Sequence, residues 1–161
     1  MRVHMPSIIE RYNKISQWPA GKYFFSKLVG FNAPFFGKIK PRIVELKPAY
    51  CEIQIKDRWG VRNHLGSINA GALCSLAEMT GGLALDSVVP KSMRWIPREM
   101  TVYYHKKATG LTTAVCAFEE NNVSSIEHAS DVVIPIDVHN EQGEKVFKAD
   151  ITFYLSFKKD K

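Results

Sequence analysis

The chain has 161 residues, 45% of them apolar and 24% charged, enough for one domain that buries a full core without disulfides or a structural metal. Its aromatic content and balanced charge exclude a disordered chain. The net charge of +6 is uneven: residues 1–50 hold nine Lys/Arg against two acids, 51–100 hold six against five, and 101–161 hold seven against nine. A local anion site therefore fits better than a general affinity for nucleic acid.

Cys51, Cys74 and Cys116 are odd in number, widely spaced and set in apolar contexts. They read as reduced thiols of a cytoplasmic protein. The first residues, MRVHMPSIIERYNK, contain no apolar run of signal-peptide length. The least charged stretch, Leu65 to Leu85, carries Glu78, Asn69 and four glycines, too polar for a membrane span.

Residues 6–36 read as two short helices forming a leader. Pro6-Ser7 opens the first, with Ile8, Tyr12 and Ile15 at helical spacing, and Trp18-Pro19-Ala20-Gly21 breaks it. Tyr23, Phe24, Leu28 and Phe31 mark the second, and Pro34 and Gly37 end the leader. With this many aromatics, the leader is expected to pack on a sheet.

From residue 40 the apolar period becomes two. Arg42–Lys47 and Tyr50–Lys56 form a hairpin around Lys47-Pro48-Ala49, with Cys51, Ile53 and Ile55 on one face. A long helix follows, from Ala70 to Leu85. Strands are then expected at 99–107, 111–119, 131–139 and 145–157. The last two join at Asn140-Glu141-Gln142-Gly143.

Strands do not alternate with helices, so a doubly wound parallel sheet is excluded. A nearly uncharged helix must be covered almost all round. One curved antiparallel sheet wrapped around one buried helix meets both conditions, an α+β architecture. Residues 1–37 form the leader and 38–161 the core of one structural domain.

The informative run is Arg62-Asn63-His64-Leu65-Gly66-Ser67-Ile68-Asn69-Ala70-Gly71, leading into the helix that carries Glu78. Gly66 to Gly71 approach a helix N-terminus, where unpaired N–H groups and the helix dipole can hold an anion or a developing oxyanion. Glu78 is the only charged side chain among residues 65–85. A buried carboxylate is costly, so it either does chemistry or pairs with a cation. Both readings stay open on these residues alone.

This run resembles the hotdog-fold acyl-CoA thioesterases, in particular the small phenylacetate-pathway type and a sub-branch with an NHxGxxxAGAL…LAE signature. Those proteins enter the helix with His-Gly-Gly or a variant. An Asp or Glu follows nine positions after the His, and an Asn or Gln often precedes it by six. Glu78 and Asn63 stand at those spacings around residue 69, and Tyr104-His105-Lys106-Lys107-Ala108 is similar to the family's strand end. The resemblance runs from about Pro41 to Phe157. It departs where the family's His is replaced by Asn69 and the next Gly by Ala70. His64 is out of register with that position.

The resemblance implies hydrolysis of an acyl-CoA thioester with no cofactor. Gly71 or Ala70 N–H would polarise the carbonyl. Glu78 would act as general base or nucleophile, Asn63 would position water or the carboxylate, and Asn69 would shape the loop. His64, Gly66 and Ala70 would contact substrate, while Arg94, Lys106 and Lys107 would hold the CoA phosphates. The alternative is a non-catalytic acyl-CoA or fatty-acyl binding protein. No metal is expected, since the five histidines show no ligand spacing. Nine residues turn a helix by about 900° and advance it about 13 Å, so residue 69 and Glu78 cannot meet in one chain. A two-fold homodimer, or a dimer of dimers, would join them across an interface. The surplus charge at Lys38, Lys40 and Arg42 would serve CoA phosphates or a membrane surface touched by the leader.

Overall fold

The computed structural model describes residues 7–158. Pro6, expected to help open the first helix, lies outside them, as do the other residues of 1–5 and 159–161. The leader forms three helices, α1 (Ile8–Ser16), α2 (Gly21–Asn32) and α3 (Pro34–Lys38). Ser7 caps α1 in a reciprocal capping box with Glu10. The leader is expected to hold two helices, and it holds a third. Pro34 starts α3, because a proline at the first helical position loses no hydrogen bond and already holds a helical φ.

The core consists of β1 (Arg42–Lys47), β2 (Tyr50–Lys56), a single 3-10 turn (Trp59–Val61), α4 (Ala70–Asp86), β3 (Met93–Tyr104) and β4 (Leu111–Ala117). A one-turn helix α5 (Asn121–Ser124), β5 (Ser130–His139) and β6 (Lys145–Phe157) complete it. The six strands make one antiparallel sheet in the order β1-β2-β4-β5-β6-β3. This is the hotdog arrangement, with α4 laid across the concave face.

On β2, Cys51, Ile53 and Ile55 are buried against α4 while Glu52, Gln54 and Lys56 alternate outward. Leu73, Leu76, Ala77, Met79, Leu83, Ala84 and Leu85 of α4 are buried, so the helix is apolar nearly all round. Ser75 and Thr80 satisfy their hydroxyls on the carbonyls of Gly71 and Leu76, 2.8 and 2.7 Å away. Gly81 allows the close approach of helix and sheet. A Cβ there would stand 3.1 Å from Ile136 Cδ1 and 3.5 Å from the Phe153 ring, both fully buried.

β3 begins six residues earlier than its spacing indicates. Pro97 interrupts the alternation, and the register slips between Pro97 and Glu99. An edge strand tolerates a proline because one side of its backbone has no neighbour to donate to. β3 ends at Tyr104 because His105 and Lys106 both turn their N–H groups to the Val146 carbonyl, 2.9 and 3.2 Å away.

At the opposite edge, the leader covers β1. Phe25 is fully buried and packs edge-to-face on Tyr12 at 5.1 Å. Tyr12 Oη donates to the Val44 carbonyl at 3.3 Å, and Ile43 N–H donates to Ser26 Oγ at 2.8 Å. These bonds close backbone groups that an edge strand would leave open. So one edge of the sheet is capped by the chain itself, while the outer edge of β3 has no strand partner among the described residues.

Candidate active site

The loop into α4 is held by side chains on both flanks. Asp57, just after β2, accepts from Arg62 Nε at 2.6 Å and from Gly110 N–H at 3.4 Å. Arg62 pairs with Ile68 across the loop, and Ile68 N–H donates to the Ala108 carbonyl at 2.8 Å. Hydrogen bonding to Arg62 holds the Asp57 carboxyl below the usual carboxylate range. This clamp was not foreseen; the only signal for it was an Asp five residues before an Arg.

Asn63 organises the loop tip. Its Oδ1 accepts from Leu65 N–H at 2.9 Å and Ser67 N–H at 3.2 Å, and its Nδ2 donates to Ser67 Oγ at 3.1 Å. Gly66 supplies the left-handed residue, φ +73°, that lets this turn close. Both polar atoms of the Asn63 amide are thus engaged within the loop. His64 stands exposed at the same tip.

Asn69 caps α4. Its Oδ1 accepts from Gly71 N–H at 2.8 Å. Of the two donors expected to polarise a carbonyl, Gly71 is therefore occupied by the cap. Ala70, at the first helical position, has no intrahelical acceptor for its N–H. Both residues are exposed at the helix entry.

From there one face of α4 is less covered than the rest. Gly71, Cys74 and Glu78 lie within about 60° of one another on the helix wheel, and each is exposed or half-buried while Leu73, Leu76 and Ala77 between them are buried. Glu78 forms no hydrogen bond and no ion pair among the described residues. Burial without a compensating cation pushes its carboxyl above the usual range. Among the described residues no basic side chain pairs with Glu78.

Cys74 Sγ lies 3.6 Å from Tyr104 Oη, which places the end of β3 beside this face. Tyr104 was not among the expected site residues, although the strand-end motif contains it. Lys106 and Lys107 follow after His105 and precede Ala108, whose carbonyl accepts from Ile68 N–H, so they stand near the helix entry. Lys106 is paired with Glu144, whereas Lys107 is exposed. Arg94 is elsewhere: Trp95 beside it bonds Asp86 at the far end of α4, and Arg94 itself reaches Ser156 at 3.3 Å. Within one chain Arg94 does not join Lys106 and Lys107, because β3 carries it the length of α4 away.

Residues 21–155 match the model of a family described as a domain of unknown function, DUF4442. The chain belongs to that family. Solved structures similar to it include the following three. A protein called only genomics APC5556 shares 36% identity, covering 94% of this chain and 99% of its own, with a TM-score of 0.77. A Pseudomonas aeruginosa protein of unknown function, PA5026, described as a probable thioesterase, shares 23% identity over 88% and 97% of the two chains, TM-score 0.77. A mutant of the Staphylococcus aureus thioesterase SAV0944 shares 16% identity over 76% and 98%, TM-score 0.66. The last two support the hotdog fold of the family member described above. No curated protein matches the chain.

Proposed function

We propose that this protein hydrolyses an acyl thioester, with acyl-CoA as the substrate class, at a site completed by a second copy of the chain. The observation that carries the reading is Glu78, a half-buried carboxylate without a cation and with a raised pKa on an uncovered face of α4. A pKa moved toward the working pH suits a general base. The names of the similar Pseudomonas and Staphylococcus proteins support the same class of reaction.

In the proposed step, Glu78 takes a proton from water as the water oxygen attacks the thioester carbonyl carbon. The negative charge on the carbonyl oxygen is met by Ala70 N–H of the other copy at the positive end of the helix dipole. The tetrahedral intermediate then collapses, the C–S bond breaks, and the thiolate takes up the proton held by Glu78. The products are a carboxylic acid and a free thiol.

Two copies are needed because residues 70 and 78 are separated by about 12 Å along the helix axis, beyond the reach of one Glu side chain. The outer edge of β3 with exposed Ile96, Tyr103 and Tyr104 supports such pairing. Lys106 and Lys107 would stand at the phosphate end of the substrate. Residues 63–67 would hold the entry loop in place.

E78Q is the test. It keeps the side-chain shape and removes the base, so thiol release from a panel of acyl-CoAs should fall by about 10²–10⁴ while the oligomer elutes unchanged. Turnover near that of the unaltered protein would refute the role of Glu78.

A second reading has its own support. Asn69 stands where the resembling enzymes have His, and its oxygen occupies Gly71 N–H. A protein that binds acyl-CoA in calorimetry but releases no thiol would be a carrier or sensor rather than a hydrolase.

A further inference from the structure

The surplus of positive charge in the first third of the chain is gathered by the fold into one place. Between α2 and the edge of the sheet at β1 and β2 lies a cleft of ≈ 1140 Å³, open to solvent. Lys22 and Lys27 of α2, Lys40 and Arg42 at the start of β1, and Lys56 at the end of β2 all line it, and no acidic side chain among the described residues does. None of the five forms an ion pair among the described residues. Lys40 is held at φ +51°, a left-handed conformation unfavourable to a side chain other than glycine.

Beside this cleft runs an apolar stripe. Phe24, Leu28, Phe31 and Phe35 follow one another at spacings of four, three and four along α2 and into α3, and all are exposed, Phe31 at 82% and Phe35 at 73%. Tyr23 and Phe31 also line the cleft, so cations and aromatics form one surface. The opposite side of α2, with Phe25 and Ser26, is fixed on the sheet.

We propose that the leader docks on a bilayer surface bearing anionic phospholipid. The lipid phosphates would lie against the cations of the cleft, and the aromatic stripe would enter the interfacial layer, where amphipathic aromatic side chains are favoured. A small soluble anion would occupy the cleft but leave Phe24, Leu28 and Phe35 uncovered. A second copy on a two-fold axis would set five unpaired cations against five others. An anionic bilayer satisfies both features at once. No helix among the described residues is long and apolar enough to cross a membrane, so the contact is interfacial.

The experiment is co-sedimentation of the full chain with 100 nm vesicles of phosphatidylcholine alone or with phosphatidylglycerol in a 7:3 mixture. Binding is expected to the mixed vesicles and not to phosphatidylcholine, with release at 0.5 M NaCl. Each neutralised lysine should lower the partition coefficient about fivefold, so K22Q/K27Q/K56Q should lose about 100-fold. F31S/F35S, which touches only exposed side chains, should lose about tenfold with an unchanged melting curve. No binding to the mixed vesicles, equal binding to both compositions, or full binding by the triple lysine variant would overturn the proposal. So would a change in oligomer mass for F31S/F35S, which would assign the stripe to a second copy, or complete displacement by glycerol 3-phosphate, which would assign the cleft to a soluble anion.

Discussion

Asn69 separates the structural from the chemical role of the helix entry. Its Oδ1 sits 2.8 Å from Gly71 N–H, so N69A removes the cap of α4. Loss of an Asn cap costs about 1 kcal/mol. In a chain of this size that corresponds to a fall of about 2–4 °C in Tm. N69D keeps the acceptor and places a formal negative charge on the positive end of the helix dipole, which stabilises by about 0.3–1 kcal/mol. Its Tm should equal or exceed that of the unaltered protein. The same charge stands beside Ala70 N–H, where the proposed oxyanion develops, and repels it. A repulsion that offsets what one oxyanion donor provides costs about 10²–10³ in kcat. N69D is therefore expected to be more stable and less active, whereas N69A loses stability while leaving Ala70 N–H open to substrate. Calorimetric melting and a coupled thiol-release assay, resolved into kcat and KM, check both arms. An N69D protein with an undiminished kcat would refute the placement of the oxyanion at the entry of α4. An N69A protein with an unchanged Tm would refute the cap energy.

Two further predictions follow from burial. The Glu78 carboxyl binds its proton more tightly folded than unfolded because burial raises its pKa. Stability contributed at this site is therefore lost as pH rises from the unfolded value through the folded one. E78Q should melt higher than the unaltered protein at pH 7.5, and the gap should close near pH 4; a gap independent of pH, or of the opposite sign, would contradict the desolvated carboxylate. At the leader, S26A leaves the fully buried Ile43 N–H without its acceptor. That should cost about 1–3 kcal/mol in denaturant unfolding, and an unchanged midpoint would show that the leader does not protect the edge of β1.

Much of this molecule is encoded locally. The alternation of Cys51, Ile53 and Ile55 places β2, and the apolar run from Ala70 places α4 to within a residue of its end, because the periods of two and 3.6 depend only on consecutive residues. The isolation of Glu78 among uncharged neighbours marks it as unusual without any structure. The uneven charge along the chain is equally plain. Pro97 and Pro34 misled in the same way, each lying in an element that the sequence pattern did not place there. A proline blocks an interior position but is tolerated at an edge strand and at the first turn of a helix, and edge or first turn is a property of the assembled sheet and leader.

The tertiary structure alone decided which groups meet. No local pattern indicates that no basic side chain among the described residues would pair with Glu78, or that Asn69 would turn its oxygen onto Gly71 while Asn63 closed its own loop. Nor does one reveal that Lys56 of β2 would join Lys22 and Lys27 of α2 around a single cleft. Residues more than twenty positions apart come together only through strand order and helix packing. The sum of the charge was therefore legible from the start, while its concentration on one face, opposite the outer edge of β3, required the fold.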